Sequence, residues 1–358
     1  MRWFLTSAIV LSMAAEAHAN GRFPEAQLMV TGRGPSASTL AVRATFGVLL
    51  SENSGATFRY LCEDVVLGTA TVTYDPPIAL DRDGRLLVTI WDGAFHVNPD
   101  HCGATRIPSL EKLHFSDLDV DASGNVVVAV DQTGFFDGKS AIFRSTDGGA
   151  TFARLAELPL MAFVTVEIAR TNPLRLWLTA KGRDKSTAVY RSDDGGKTVV
   201  EVTKLPRADD PYVAGIDPTN ADRVWIRLAY IDATFVTRSA LYRTDDAGKT
   251  WVLAADVPNL MLGFAVDATG KRVWLGGAGA GLQRSFDGAP FVKLPDAPIR
   301  CLRHHEGKLW ACLGSSTDTF GLSVSCDDGA TLAPALDLHS VDGTFSCPSG
   351  SAEAKCEP

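Results

Sequence analysis

Side chains able to grip a ligand are present in this 358-residue chain, but no local motif gathers them. No Ser-His-Asp or Cys-His pattern has a recognisable setting. No two cysteines stand in C-x-x-C spacing, so neither a zinc ribbon nor a thioredoxin-type redox pair is expected. Asp81-Arg82-Asp83-Gly84 opens like a calcium loop but has Asp92 where the twelfth position needs Glu, so it reads as a hairpin turn. His304 and His305 are adjacent in a turn and point apart, a solvated pair rather than a metal site. Gly276 to Gly281 leads from strand to strand with no Lys-Ser/Thr behind it, a loop rather than a phosphate cradle. No catalytic set is complete, and no metal or cofactor is expected. What remains is a scattered group: Arg22, Asp75, His114, Tyr212 and Arg300. These could act on one ligand only if the fold brings distant segments together.

A repeat supplies that fold. Ser145-Thr146-Asp147-Gly148-Gly149-Ala150-Thr151-Phe152 is the cleanest of six copies of S-x-D-x-G-x-T-aromatic. Asn53, Asp194, Asp246, Asp287 and Asp327 hold the acidic position in the others, and the copy around Asp287 is shortened. An Asp there can accept several backbone N–H groups across a tight reversal, while Gly supplies positive φ. Successive copies from Ser145 onward start 40 to 52 residues apart, and the gap after Ser51 holds a degenerate turn at Val97 to Thr105. Short apolar runs precede the slots, among them Leu86-Leu87-Val88, Leu176-Trp177-Leu178 and Leu309-Trp310-Ala311. Hairpin turns at Asp81, Asp121, Asp217 and Asp267 stand before several of them. Seven slots with seven runs predict an all-β, seven-bladed propeller with four-stranded antiparallel blades.

The repeated turn resembles the Asp-box (BNR repeat) of sialidases, sortilin-type receptors and photosystem II assembly factors. Enzymes and binders share that fold, so the resemblance leaves function open. Gly21-Arg22-Phe23-Pro24 is similar to the segment that opens sialidases, where Arg is the first of three that hold the substrate carboxylate. The resemblance implies two more arginines, from Arg170, Arg227, Arg238, Arg300 or Arg303, with a Tyr nucleophile, a Glu partner and an Asp acid/base. Tyr212 and Asp75 match by residue type only, and Phe replaces the family's Ile. The favoured expectation is a non-enzymatic binding or scaffold protein using the channel mouth for a protein, peptide or glycan; a sialidase-like glycoside hydrolase or lyase is the alternative. The mouth expected to bind is the one where outer-to-inner strand loops converge, because distant polar groups meet there.

Lys plus Arg is 34 and Asp plus Glu 42, a net charge of −8 that argues against nucleic acid and anionic membrane as partners. Beyond the N-terminus no apolar run can span a bilayer, and a monomer is expected. Arg2, the apolar stretch to Ala15 and Ala17-His18-Ala19 form the three regions of a secretory signal, predicting cleavage after Ala19 and a secreted or periplasmic protein. The expected layout is a signal at 1–19, the propeller at 20–340 and a disulfide-tied tail at 341–358. Seven cysteines in an exported chain predict disulfides with one left over. The expected pairs are Cys301–Cys312, Cys347–Cys356 and Cys62–Cys102, leaving Cys326 free.

Overall fold

The structure, a computed structural model, describes residues 25–67, 75–131, 139–184, 186–205, 210–294, 296–314, 320–337 and 341–356. The signal segment and Arg22 lie outside them. Seven four-stranded antiparallel sheets follow one another along the chain, each made of four consecutive strands. Blade one is β1 (Ala26–Thr31), β2 (Leu40–Ala44), β3 (Gly47–Ser51) and β4 (Arg59–Cys62). Blade two is β5 (Ile78–Leu80), β6 (Leu86–Ile90), β7 (Gly93–Val97) and β8 (Ala104–Arg106). Blade three is β9 (Phe115–Val120), β10 (Val127–Asp131), β11 (Lys139–Ser145) and β12 (Ala153–Pro159). Blade four is β13 (Met161–Ile168), β14 (Leu176–Gly182), β15 (Thr187–Ser192) and β16 (Val200–Leu205). Blade five is β17 (Asp210–Asp217), β18 (Asn220–Ile231), β19 (Thr237–Thr244) and β20 (Val252–Pro258). Blade six is β21 (Gly263–Val266), β22 (Arg272–Gly277), β23 (Gly281–Phe286) and β24 (Val292–Lys293). Blade seven is β25 (Ile299–His305), β26 (Lys308–Leu313), β27 (Phe320–Ser325) and β28 (Ala333–Asp337).

The first strand of each blade lines the axis, and β1 packs between β5 and β25, so the ring closes. Second strands such as β6 and β10 are buried at every position, because a blade is covered on both faces. The core is therefore a set of clusters between blades: Val128, Val130 and Ile142 meet Phe163, Val166 and Leu178 across blades three and four. Leu40, Leu49 and Phe58 meet Trp310 and Leu322 where blade seven returns to blade one.

The repeated turns form one hydrogen-bond pattern. In blade three the Ser145 hydroxyl donates to Asp147 at 2.6 Å and accepts the Gly149 amide at 2.8 Å. Asp147 also accepts the Thr151 amide at 2.9 Å and the Thr151 hydroxyl at 2.6 Å. Asp194, Asp246 and Asp327 repeat these contacts. Asn53 repeats the amide contact at 3.0 Å without a charge. The shortened copy does not: Asp287 sits at φ +49° and the Ser285 hydroxyl donates to the Ala289 carbonyl instead. With fewer residues in the turn, the outgoing chain never reaches the carboxylate. In blade two, Asn98 fills the slot and accepts the Thr105 hydroxyl at 2.8 Å.

The disulfide frame departs from expectation. Cys301–Cys312 bridges paired positions of β25 and β26, and Cys326 is free. Cys102, however, joins Cys347 across 245 residues, so neither Cys62–Cys102 nor Cys347–Cys356 forms. Cys62 is disulfide-bonded to another partner. The reason lies in the path of the tail. Its Asp342 amide donates to the Phe58 carbonyl and its Gly343 carbonyl accepts the Tyr60 amide, at 3.0 and 2.9 Å, in a parallel pairing beside β4. That course carries Cys347 past blade one to blade two.

Candidate functional site: the two mouths of the channel

In an antiparallel meander, the loops entering first strands and the turns between second and third strands lie at one end of the ring, here the near mouth. The turns between first and second strands and the repeated box hairpins lie at the other end, the far mouth. Asp75, His114, Tyr212 and Arg300 all sit where chain enters a first strand, so the structure places them around the near mouth. It does not gather them into one cluster, since each is engaged locally. The His114 ring stacks on Trp91 with centroids 4.2 Å apart, and burial pushes its pKa down. The Arg227 guanidinium lies 4.3 Å over the Tyr212 ring and donates to the Met261 carbonyl at 2.6 Å. Arg300 Nε stands 2.6 Å from Glu25, an ion pair at too poor an angle for a hydrogen bond. The Asp75 carbonyl accepts Arg43 at 3.2 Å.

A cavity of about 190 Å³ opens at the near mouth, lined by Gln27, Tyr212, Arg227, Met261 and Phe264. A second, of about 80 Å³, opens at the far mouth against Arg33, Arg170, Pro218 and His304. Glu167 and Arg303 line both, so they stand at the waist between them. A third cavity, of about 290 Å³, lies away from the axis between blades five and six, beside the shortened turn at Asp287.

The waist is built from first-strand positions two apart, which share a strand face. Asp117 and Asp119 reach across to blade four, accepting the Val166 amide at 3.0 Å and the Ile168 amide at 2.8 Å. Thr165 does the same for blade five, accepting the Val213 amide at 2.9 Å. First strands of neighbouring blades diverge, so these side chains pair backbone groups that no strand reaches. Burial, with Asp119 close by, pushes Asp117 up to about 7. Burial beside Asp119 and Asp117 also drives Glu167 well above its ordinary value. Burial and the neighbouring Arg33 and Arg170 pull Arg303 down to about 10, still charged at neutral pH. Arg303 donates to Thr31 at 3.4 Å, and Arg33 pairs with Asp119 at 3.3 Å. The sequence named Arg170 and Arg303 only as possible partners of Arg22, and did not single out Arg33 or Glu167. Among the described residues no cluster of three metal-ligating side chains occurs, and no helix is long and apolar enough to cross a membrane.

Solved structures share this architecture. Hydrazine synthase of Kuenenia stuttgartiensis superposes with a TM-score of 0.60 at 13% identity, covering 88% of this chain and 99% of that one. The oligogalacturonate lyase of Vibrio parahaemolyticus gives 0.54 at 7% identity, covering 80% and 86%. YCF48 from Cyanidioschyzon merolae gives 0.43 at 12%, covering 87% and 86%. At such identities the likeness is one of fold. No family model and no curated protein matches the chain.

Proposed function

We propose that the protein is an exported, non-enzymatic Asp-box propeller that binds a protein or peptide partner across its near mouth. The observation that carries this reading is the apolar rim. Phe235 is 91% exposed and Leu160 73%, and Trp91, Tyr212, Ile231 and Leu260 are also exposed. All six lie on first-strand entries or on second-to-third-strand turns, hence on one end of the ring. Exposed apolar side chains gathered around a concave mouth mark association surfaces. A peptide and glycan array probed with the mature protein tests the reading. Peptide binding lost in a Leu160→Ser/Phe235→Ser double variant, with an unchanged melting temperature, is the expected result. Signal only on glycans, or peptide binding indifferent to the two substitutions, would sink it. Export after Ala19 belongs to the same proposal, and N-terminal sequencing of the exported protein should begin at Asn20. An intact Met1 overturns that step.

The glycosidase alternative has one observation behind it, since Tyr212, Glu167 and Arg303 line the same cavity. Against it, Arg33 and Arg170 open onto the far mouth, whereas Tyr212 lines the near one. Three arginines over a Tyr–Glu pair are therefore not what the described residues form. Turnover of a fluorogenic sialoside that a Tyr212→Phe change abolishes would establish the alternative.

A further inference from the structure

At the far mouth three guanidinium groups crowd around a small cavity with too few acceptors to satisfy them. Arg33 is 15% exposed, and its one ionic contact among the described residues, to Asp119, is 3.3 Å long. Asp119 is already committed to the Ile168 amide through its other oxygen. Arg33 Nη1 and Arg303 Nε are shut off from solvent with no hydrogen-bond acceptor among the described residues. Arg170 is exposed and makes no ion pair or hydrogen bond among them. Unpaired buried guanidinium N–H groups beside like charges are costly. A bound anion would supply the acceptors these groups lack among the described residues.

We propose that the far mouth binds a small divalent oxyanion, inorganic phosphate or the phosphoryl group of a phosphomonoester, between Arg33, Arg170 and Arg303. The cavity of about 80 Å³ holds two or three waters at roughly 30 Å³ each, the scale of one tetrahedral oxyanion. Planar guanidinium forks match its oxygens in pairs. Three guanidinium groups lining one small cavity suit a dianion better than a monoanion. Burial and two carboxylate neighbours raise the pKa of Glu167, which favours its protonated form and lessens the opposing charge at the site. The site faces away from the apolar rim, so this inference does not depend on the partner-binding reading.

Calorimetric titration of the mature protein at fixed ionic strength tests it, with inorganic phosphate, methyl phosphate and acetate as probes. Saturable binding of one phosphate per chain is expected, weakened at least about tenfold by Arg170→Ala, the loss of one charge-assisted contact. Because Arg170 makes no ion pair or hydrogen bond among the described residues, that variant should melt where the wild type does. Preference for methyl phosphate over inorganic phosphate would assign the phosphomonoester source, and the reverse the free ion. Absence of saturable heat with either phosphate, equal affinity in Arg170→Ala, or acetate binding as tightly as phosphate would overturn the proposal.

Discussion

Asp147 takes its hydrogen bonds from groups at most four residues away, the Ser145 hydroxyl and both donors of Thr151. These bonds favour the ionised carboxylate and hold it at about 2, the Ser145 hydroxyl contributing most. Asp194, Asp246 and Asp327 are likewise held at about 2, led by the amides of Thr198, Thr250 and Thr331. A carboxylate whose pKa is lower in the folded chain stabilises the fold fully above its unfolded value near 3.8. That contribution disappears as pH falls toward about 2. Asp147→Asn should lower the melting temperature by a few degrees at neutral pH, modestly because the site is solvated. The gap from wild type should close between about pH 4 and pH 2; melts that stay parallel down to pH 2 would contradict this account. The box was legible in sequence because all its partners are local. The waist was not, because Arg33, Glu167 and Arg303 come from three distant blades, and nothing in their neighbours' residue types says they face one axis.

The same turns join one blade to the next. A Cβ on Gly55 would stand 2.5 Å from the Trp310 ring across the seam between blades seven and one, at φ +84°. A Cβ on Gly248 would stand 3.3 Å from Trp177 of the preceding blade, whose indole N–H donates to the Ala221 carbonyl at 3.0 Å. The box glycine therefore serves two ends, turn geometry and close approach of a neighbour's tryptophan. Gly148 stands one position earlier in its turn, where other copies carry Ser54 or Ala247, and isolates the backbone term: it has φ +71° with nothing within 4 Å of an added Cβ. Gly148→Ala should cost only the backbone term, about 1 kcal/mol, whereas Gly55→Ala adds overpacking of about 1–3 kcal/mol. Urea unfolding of the two variants measures the difference, and equal losses would show that Trp310 moves aside freely. The apolar runs around Trp177, Trp274 and Trp310 read correctly as second strands from their residue types. Which glycine each tryptophan covers is a property of the ring, and no pattern within one repeat encodes it.

A ring of seven sheets needs a closure, and among the described residues no blade borrows a strand from the other end of the chain, since each sheet is made of four consecutive strands. Blade seven meets blade one through packing, the Arg300–Glu25 ion pair and the His305–Ala37 contact at 2.8 Å. The tail adds a clasp outside that seam. It runs beside β4, buries Phe345 against blades one and two, and places Glu353 where its carboxylate accepts the Cys62 amide at 3.0 Å. Cys102–Cys347 then fixes it to blade two. Opening the ring at blades seven and one thus requires stripping the tail as well. From sequence the tail read as a local loop because its short cysteine spacing offered a bridge, and one unpaired edge gave no signal of what would cover it. Replacing Cys102 and Cys347 together with Ser leaves no stray thiol from this bridge and should cost about 2–4 kcal/mol. The loss should come with faster hydrogen exchange at the Tyr60 amide, which the tail protects, and little change in the β13–β14 pairing on the far side of the ring. Unfolding that begins uniformly around the ring, with Tyr60 exchange unaltered, would mean that the tail merely rests on blade one and the packed seam alone holds the propeller closed.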